Sequence, residues 1–236
     1  MAGQPLVMVP GLLCSARLYA PQVSALQEIA DIVVADHTRH DTIADIARSI
    51  LAAAPERFAL CGLSMGGYIS FEIMRQARER VSRLALLDTS ARPEMAATTE
   101  RRKTLMAMAR NGQFASITRD HLLALLIHPD RLDDEPLTST IIAMADDIGA
   151  AAFLRQQRAI MSRADSRPGL AEITCPTLVM VGDGDQLTPP DHAREIASGI
   201  PAARLEIIPD CGHLSTLERP DTVNRALADW VALPEH

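Results

Sequence analysis

Three residues of this chain could act as one chemical unit: Ser64, Asp185 and His213. Ser64 stands in Gly62-Leu63-Ser64-Met65-Gly66, a serine between two glycines directly after an apolar run. That pattern fits a sharp strand-to-helix turn, in which a strained backbone presents the hydroxyl and small neighbours let the chain pass close by. A serine hydroxyl is a poor nucleophile at neutral pH, so it needs a histidine to take its proton and a carboxylate to orient that histidine. Both occur downstream, Asp185 in Gly182-Asp183-Gly184-Asp185 and His213 in Cys211-Gly212-His213, each just after an apolar run. The chemistry this implies is acyl transfer, with His213 as general base and Asp185 fixing its tautomer. Asp183 and Asp88 compete for the carboxylate role, and Asp183 also suits a plain Gly-Asp-Gly turn. A developing oxyanion needs donors. The backbone N–H of Met65, at a helix N-terminus, is one, and that of Leu12 in Val9-Pro10-Gly11-Leu12-Leu13 is the second. His37, His40, His121, His128 and His192 have no such placement and are read as surface or lid residues.

These groups can meet only if the fold brings the ends of several strands to one edge. Six apolar runs have strand character, at 5–9, 31–35, 57–61, 83–87, 177–181 and 204–208. They are continuously apolar rather than alternating, and helix-like segments at 22–29, 43–53, 68–80, 191–198 and 222–233 separate or follow them. This pattern predicts an α/β fold with a parallel sheet covered on both faces. In such a sheet the turns after successive strands share one edge, where ligands bind. Residues 91–170 break the rhythm and read as helices at 100–110, 114–127 and 138–147. The expected organisation is therefore a core made of 1–90 and 171–236 with a helical lid, 91–170, inserted between its halves.

Bulk properties narrow the function. The 236 residues carry a net charge of −7, which argues against nucleic-acid binding; the cationic triplet Arg101-Arg102-Lys103 is read as a solvated helix face. Aromatic residues make up only 3%, too few for a sugar-stacking platform. No 18-residue apolar stretch suggests a membrane span and the start of the chain lacks signal-peptide character, so a cytoplasmic protein without a membrane partner is expected. Cys14, Cys61, Cys175 and Cys211 have no metal-ligand spacing and are expected to be reduced, mostly buried thiols. No metal or organic cofactor is implied. In the expected lid, the apolar run 121–127 with Met106, Met108, Met144 and Met161 would suit a small acyl or alcohol group. Arg155, Arg158, Arg163 and Arg167 are read chiefly as local ion pairs at the lid hinge, with binding of a substrate carboxylate as the alternative.

With nucleophile, acid and base in this order, the chain resembles the α/β-hydrolase superfamily, in particular compact bacterial serine esterases and lactonases with a helical cap. Gly62-Leu63-Ser64-Met65-Gly66-Gly67 is similar to the family's nucleophile motif, Cys175 to Pro189 to its strand-and-acid motif, and Gly212-His213 with Glu218-Arg219-Pro220 to its histidine segment. The resemblance selects Asp185 over Asp183 and leaves Asp88 where a minority of members carry the acid. It implies a reduced six-stranded sheet that begins at the family's third strand, with the order 4-3-5-6-7-8 in family terms. It also implies a carboxylic ester or lactone hydrolase, monomeric or homodimeric. Carbon–carbon bond hydrolysis and a ligand-sensing module with little turnover are the alternatives. Haloalkane dehalogenases and epoxide hydrolases of this fold use an aspartate at the elbow, which Ser64 does not supply. Two departures stand out: Pro10-Gly11 replaces the usual His-Gly before the oxyanion loop, and the segment after Asp36 lacks the Arg-Gly-x-Gly pattern of relatives.

Overall fold

The computed structural model describes residues 3–201 and 203–233; residues 1, 2, 202 and 234–236, which the expected core boundaries include, lie outside them. Six parallel strands form one sheet: β1 (Gln4–Val9), β2 (Ala30–Val34), β3 (Phe58–Leu63), β4 (Val81–Leu87), β5 (Thr177–Gly182) and β6 (Ala203–Ile208). Their order is β2-β1-β3-β4-β5-β6, which is the expected 4-3-5-6-7-8. Successive residues of a central strand point into different cores. Val7, Val9, Leu60, Leu84, Leu86, Val179 and Val181 pack on α2 (Ile43–Ala53), α3 (Met65–Ala77) and α8 (Pro190–Gly199). Leu6, Met8, Cys61, Ala85, Leu87, Leu178 and Met180 face α1 (Ala20–Leu26) and α10 (Pro220–Val231) on the other side. Burial on both faces is why these strands are apolar at every position. The edge strands β2 and β6 alternate in burial or stay half-exposed.

Local signals set the helix limits. Thr42 caps α2 by accepting from the Asp45 N–H at 3.1 Å, and Ile43, Ile46, Ala47 and Ile50 form its buried stripe. The helix expected at 68–80 begins earlier, at Met65, because Ser64 itself occupies the N-cap position. The helix expected at 22–29 is likewise shifted to Ala20–Leu26.

Between β4 and β5 the described residues contribute no strand. They form α4 (Ala96–Arg110), α5 (Phe114–Ile117), α6 (Leu123–Leu126) and α7 (Glu135–Met161), followed beyond β6 by α9 (Ser215–Glu218). The expected helix at 114–127 is interrupted by a wider π-type turn over Thr118–Leu122. The one expected at 138–147 extends to Met161, with a break at Gly149, whose φ of 75° and ψ of 164° suit glycine. Contrary to the expectation from sequence, α7 is long and apolar enough to cross a membrane by length and composition. Asp146, Asp147 and the break at Gly149 fall at its middle, and its Ala145 and Phe153 pack with Leu105, Ala109 and Ile117 of α4 and α5.

Candidate active site

Ser64 lies between β3 and α3 at φ 56° and ψ −115°, a backbone conformation costing about 1–3 kcal/mol that surrounding contacts must hold. Its N–H donates to the Leu87 carbonyl at 3.0 Å, and its own carbonyl accepts from Thr89 Oγ1 at 2.7 Å. Close approach explains the flanking glycines: a β-carbon on Gly66 would collide with the Val9 carbonyl, and one on Gly62 with the Gly66 carbonyl and Ser70 Oγ. The two glycines thus let β1, β3 and α3 close around the serine.

The histidine loop brings His213 Nε2 to 2.8 Å from Ser64 Oγ and Nδ1 to 2.7 Å from Asp185 Oδ2. Asp185 Oδ1 accepts from the N–H groups of Leu187 at 2.8 Å and Thr188 at 2.9 Å, and Oδ2 also accepts from Thr188 Oγ1 at 2.8 Å. Burial disfavours charge on either group of this pair. For Asp185 it is outweighed by the His213 charge and these donors, so its carboxyl lies below the usual range. For His213 burial is outweighed by the Asp185 charge and hydrogen bond, so its imidazole lies above the usual histidine value. The competing carboxylates go elsewhere. Asp183 accepts from the Cys211 N–H at 3.3 Å. Asp88 bonds the Gly182 N–H at 3.1 Å and the Ser215 N–H and Oγ at 3.2 and 2.5 Å; burial, with the Asp185 charge nearby, pushes its pKa up to about 8.

The loop carrying Leu12 lies against the serine: a β-carbon on Gly11 would sit 3.3 Å from Ser64 Cβ. Among the described residues, the Leu12 and Met65 N–H groups have no protein acceptor. The loop is fixed on both sides of Leu12. His37 Nε2 bonds the Gly11 carbonyl at 2.9 Å, and Gln156 Oε1 accepts from the Leu13 N–H at 3.2 Å, with Leu13 at φ 59°. Gln156 Nε2 also lies 2.9 Å from His37 Nε2. The sequence reading of His37 as a surface or lid residue is therefore wrong. It is buried, and burial, exceeding the effect of the Gly11 carbonyl, lowers its pKa. A histidine from the segment after β2 thus braces the loop whose own histidine position is Pro10.

A cavity of about 130 Å³ opens on Ser64 and His213. Its apolar lining includes Leu122, Leu126, Ile141, Met144 and Leu214, while Met106, Met108 and Met161 do not line it. Cys14 also lines it, but burial pushes its thiol up to about 12, so at neutral pH it holds no thiolate to compete with Ser64. Arg102, only partly exposed, lines the cavity, which corrects its reading as part of a solvated face, whereas Arg101 lines the cavity while staying exposed. Of the arginines near the end of the helical segment, Arg163 pairs with Glu94 and Arg167 with Asp165, whereas Arg158 pairs with Asp41 from the segment after β2 and Arg155 donates to the Thr38 carbonyl instead of forming a local ion pair. The sequence reading also left Glu218 without a role. Its buried carboxylate accepts from the N–H groups of Gly212, Leu214 and His128, and the Glu218-Arg219-Pro220 motif was its one visible signal. Gln156 and Gln157, two adjacent amides in an apolar helix, were a signal of buried polar work that went unread.

Known proteins share this architecture. The M. tuberculosis (strain CDC 1551 / Oshkosh) protein BpoC is 33% identical over 201 residues, covering 83% of this chain and 76% of that protein. An enol-lactonase from Burkholderia xenovorans LB400 superposes with a TM-score of 0.89 at 25% identity, covering 99% of this chain and 93% of its own. A thermophilic esterase from Thermogutta terrifontis does so with a TM-score of 0.88 at 26% identity, covering 98% and 90%. The model of the alpha/beta hydrolase family matches residues 6–226. With that match spanning the sheet, the serine turn and the histidine loop, the chain belongs to the alpha/beta hydrolase family.

Proposed function

We propose that this chain is a serine hydrolase that cleaves a small, mainly apolar carboxylic ester or lactone through an acyl-enzyme. The observation that carries this reading is the continuous chain from Ser64 Oγ to His213 Nε2 at 2.8 Å and from His213 Nδ1 to Asp185 Oδ2 at 2.7 Å, at the wall of a cavity. Ser64 Oγ attacks the carbonyl carbon as His213 takes its proton; Asp185 steadies the imidazolium, and the Leu12 and Met65 N–H groups hold the oxyanion. His213 then protonates the leaving alkoxide, and the C–O bond breaks. In the second half His213 takes a proton from water, hydroxide adds to the acyl carbon, and Ser64 leaves with the proton returned. The sequence needs no metal or organic cofactor. The helices between β4 and β5 act as the lid that keeps water out during the first half.

A cavity of about 130 Å³ compares with the roughly 150 Å³ that admits a benzene molecule, so the enclosed group is short. p-Nitrophenyl esters from acetate to octanoate test the reading. Turnover should peak at acetate to butyrate and fall toward octanoate. Ser64→Ala and His213→Ala should each lower kcat by about 10⁴-fold or more. If neither the ester series nor lactones are turned over and a fluorophosphonate fails to label Ser64, the reading is wrong. Labelling with turnover of a vinylogous diketone alone would move the assignment to carbon–carbon bond hydrolysis.

A further inference from the structure

One part of the cavity lining is polar, and its open hydrogen-bonding capacity consists mainly of donors. Arg102 on α4 donates from Nε to Glu94 Oε1 at 2.8 Å and from Nη1 to Gln157 Oε1 at 2.9 Å. A guanidinium can only donate, so the Gln157 oxygen must face Arg102 and its amide N–H groups must point away. Gln157 is only 1% exposed, yet among the described residues its Nε2 has no acceptor, and it lines the cavity. An amide N–H that faces the cavity is a donor available to a ligand acceptor.

The charge at this wall is also unbalanced. Glu94 pairs with Arg163 as well as with Arg102, so one carboxylate serves two guanidiniums. Arg163 lies over the Tyr68 ring with its central carbon 4.5 Å from the centroid, away from the lining. Arg101 joins Arg102 in the lining, donates to the His121 carbonyl at 2.9 Å, and has no carboxylate partner among the described residues. Arg102 is thus surplus to the neutralisation of Glu94 while being held rigid by it. A guanidinium fixed on one side, with N–H groups left over and an amide donor beside it, matches the two oxygens of a carboxylate.

We propose that the substrate carries a carboxylate that binds Arg102 and the Gln157 amide, with Arg101 adding charge. This rests on the serine hydrolase reading and narrows its substrate to an anionic short-chain ester or a lactone bearing a carboxylate.

The test compares ester pairs that differ by a carboxylate in place of a methyl group. Monomethyl succinate against methyl butyrate places the carboxylate on the acyl side; acetoxyacetate against ethyl acetate places it on the alcohol side. The native chain should prefer one anionic ester over its neutral partner by at least about 10-fold in kcat/KM, the range of a charge-assisted contact. Arg102→Met should remove most of that preference and Gln157→Leu part of it, through KM more than kcat. Arg102→Lys should recover part, and Arg158→Gln, which alters an exposed ion pair outside the cavity lining, should leave the preference intact. A native enzyme that favours both neutral esters, or Arg102→Met losing anionic and neutral turnover equally while folded by circular dichroism, overturns the proposal. If the native chain turns over none of the four, calorimetry of each ester with Ser64→Ala decides. Tighter binding of an anionic ester, lost in the Ser64→Ala, Arg102→Met double variant, upholds the subsite without the hydrolase reading, and equal or no binding overturns it.

Discussion

At the scale of single residues, the site depends on one imidazole being pulled in opposite directions. Burial favours neutral His213, whereas the Asp185 charge and hydrogen bond favour the imidazolium, and the second effect is larger. A general base must be unprotonated, so activity should rise with pH through a midpoint above the ordinary histidine value of 6.5. Asp185→Asn removes the largest raising influence and leaves burial opposed only by the weaker pull of Asp88 and Glu218, so the His213 midpoint should fall. Proton NMR titration of the His213 ring in Ser64→Ala, with and without Asp185→Asn, reads this directly; a midpoint unmoved by the second substitution would show that Asp185 does not set the proton affinity. The same logic sorts the three carboxylates. Asp185 touches His213 and favours its charged form, Asp183 finishes a turn, and Asp88 keeps its proton through burial and, less, the like charge of Asp185.

At the scale of elements, the serine turn and the Leu12 loop come from different strand ends, and the structure binds them with contacts that no local sequence rule describes. His37 comes from the segment after β2 and Gln156 from α7, yet both bond the backbone on either side of Leu12. This makes them positioning residues for the proposed oxyanion donor. His37→Ala and Gln156→Leu should each lower kcat by about 10-fold to 10²-fold, approaching but not exceeding the loss of an oxyanion donor. KM should change less than threefold, and Gln156→Glu, which keeps the acceptor for Leu13, should restore part of the rate. Steady-state kinetics on a short ester give that split; a change in KM alone would assign these residues to substrate binding. The helical segment is tied in similarly: the Leu126 carbonyl accepts from the His213 N–H at 3.0 Å, and Glu218 holds the His128 N–H. Displacing this segment would therefore disturb the histidine loop as well as the cavity.

At the scale of the whole molecule, packing makes the stability depend on pH. Asp88 lies beneath the site with no solvent contact, and its pKa is pushed from 3.8 up to about 8. The folded chain therefore keeps a proton that the unfolded chain has released near pH 4, and stability falls as pH rises through that window until Asp88 ionises in the fold. His213, raised in the fold, adds loss in the same direction above its unfolded value. Asp185, lowered in the fold, contributes in the opposite sense, with its stabilisation already complete above its unfolded value and lost only in acid. His37 and His192, lowered in the fold by burial, act in the opposite sense up to their unfolded value of 6.5, so the urea midpoint should decline chiefly from about pH 6.5 to about pH 8, and Asp88→Asn should flatten that decline. An unchanged slope in the variant would place the titration elsewhere.

Much of this was legible in the sequence because it is local or repetitive. The central strands, buried on both faces, must be apolar throughout and were therefore visible, the edge strands β2 and β6 kept enough apolar residues to be found, and the strand order followed from the family resemblance. The turn at Gly62 to Gly66 was visible because close approach excludes side chains there. Contacts between segments distant in the chain were decided only by tertiary structure. Whether Asp183, Asp185 or Asp88 meets His213 depends on loop paths that differ by a few ångströms. Arg102 and Lys103 are adjacent charged residues on one helix, and only the packing of α4 over the serine turns one into the cavity and leaves the other in solvent. His37 reaches Gly11 because β1 and β2 are neighbours. Residue type sets what a group can do, while burial and the groups opposite it, which exist only once the chain is folded, determine which of those things it does.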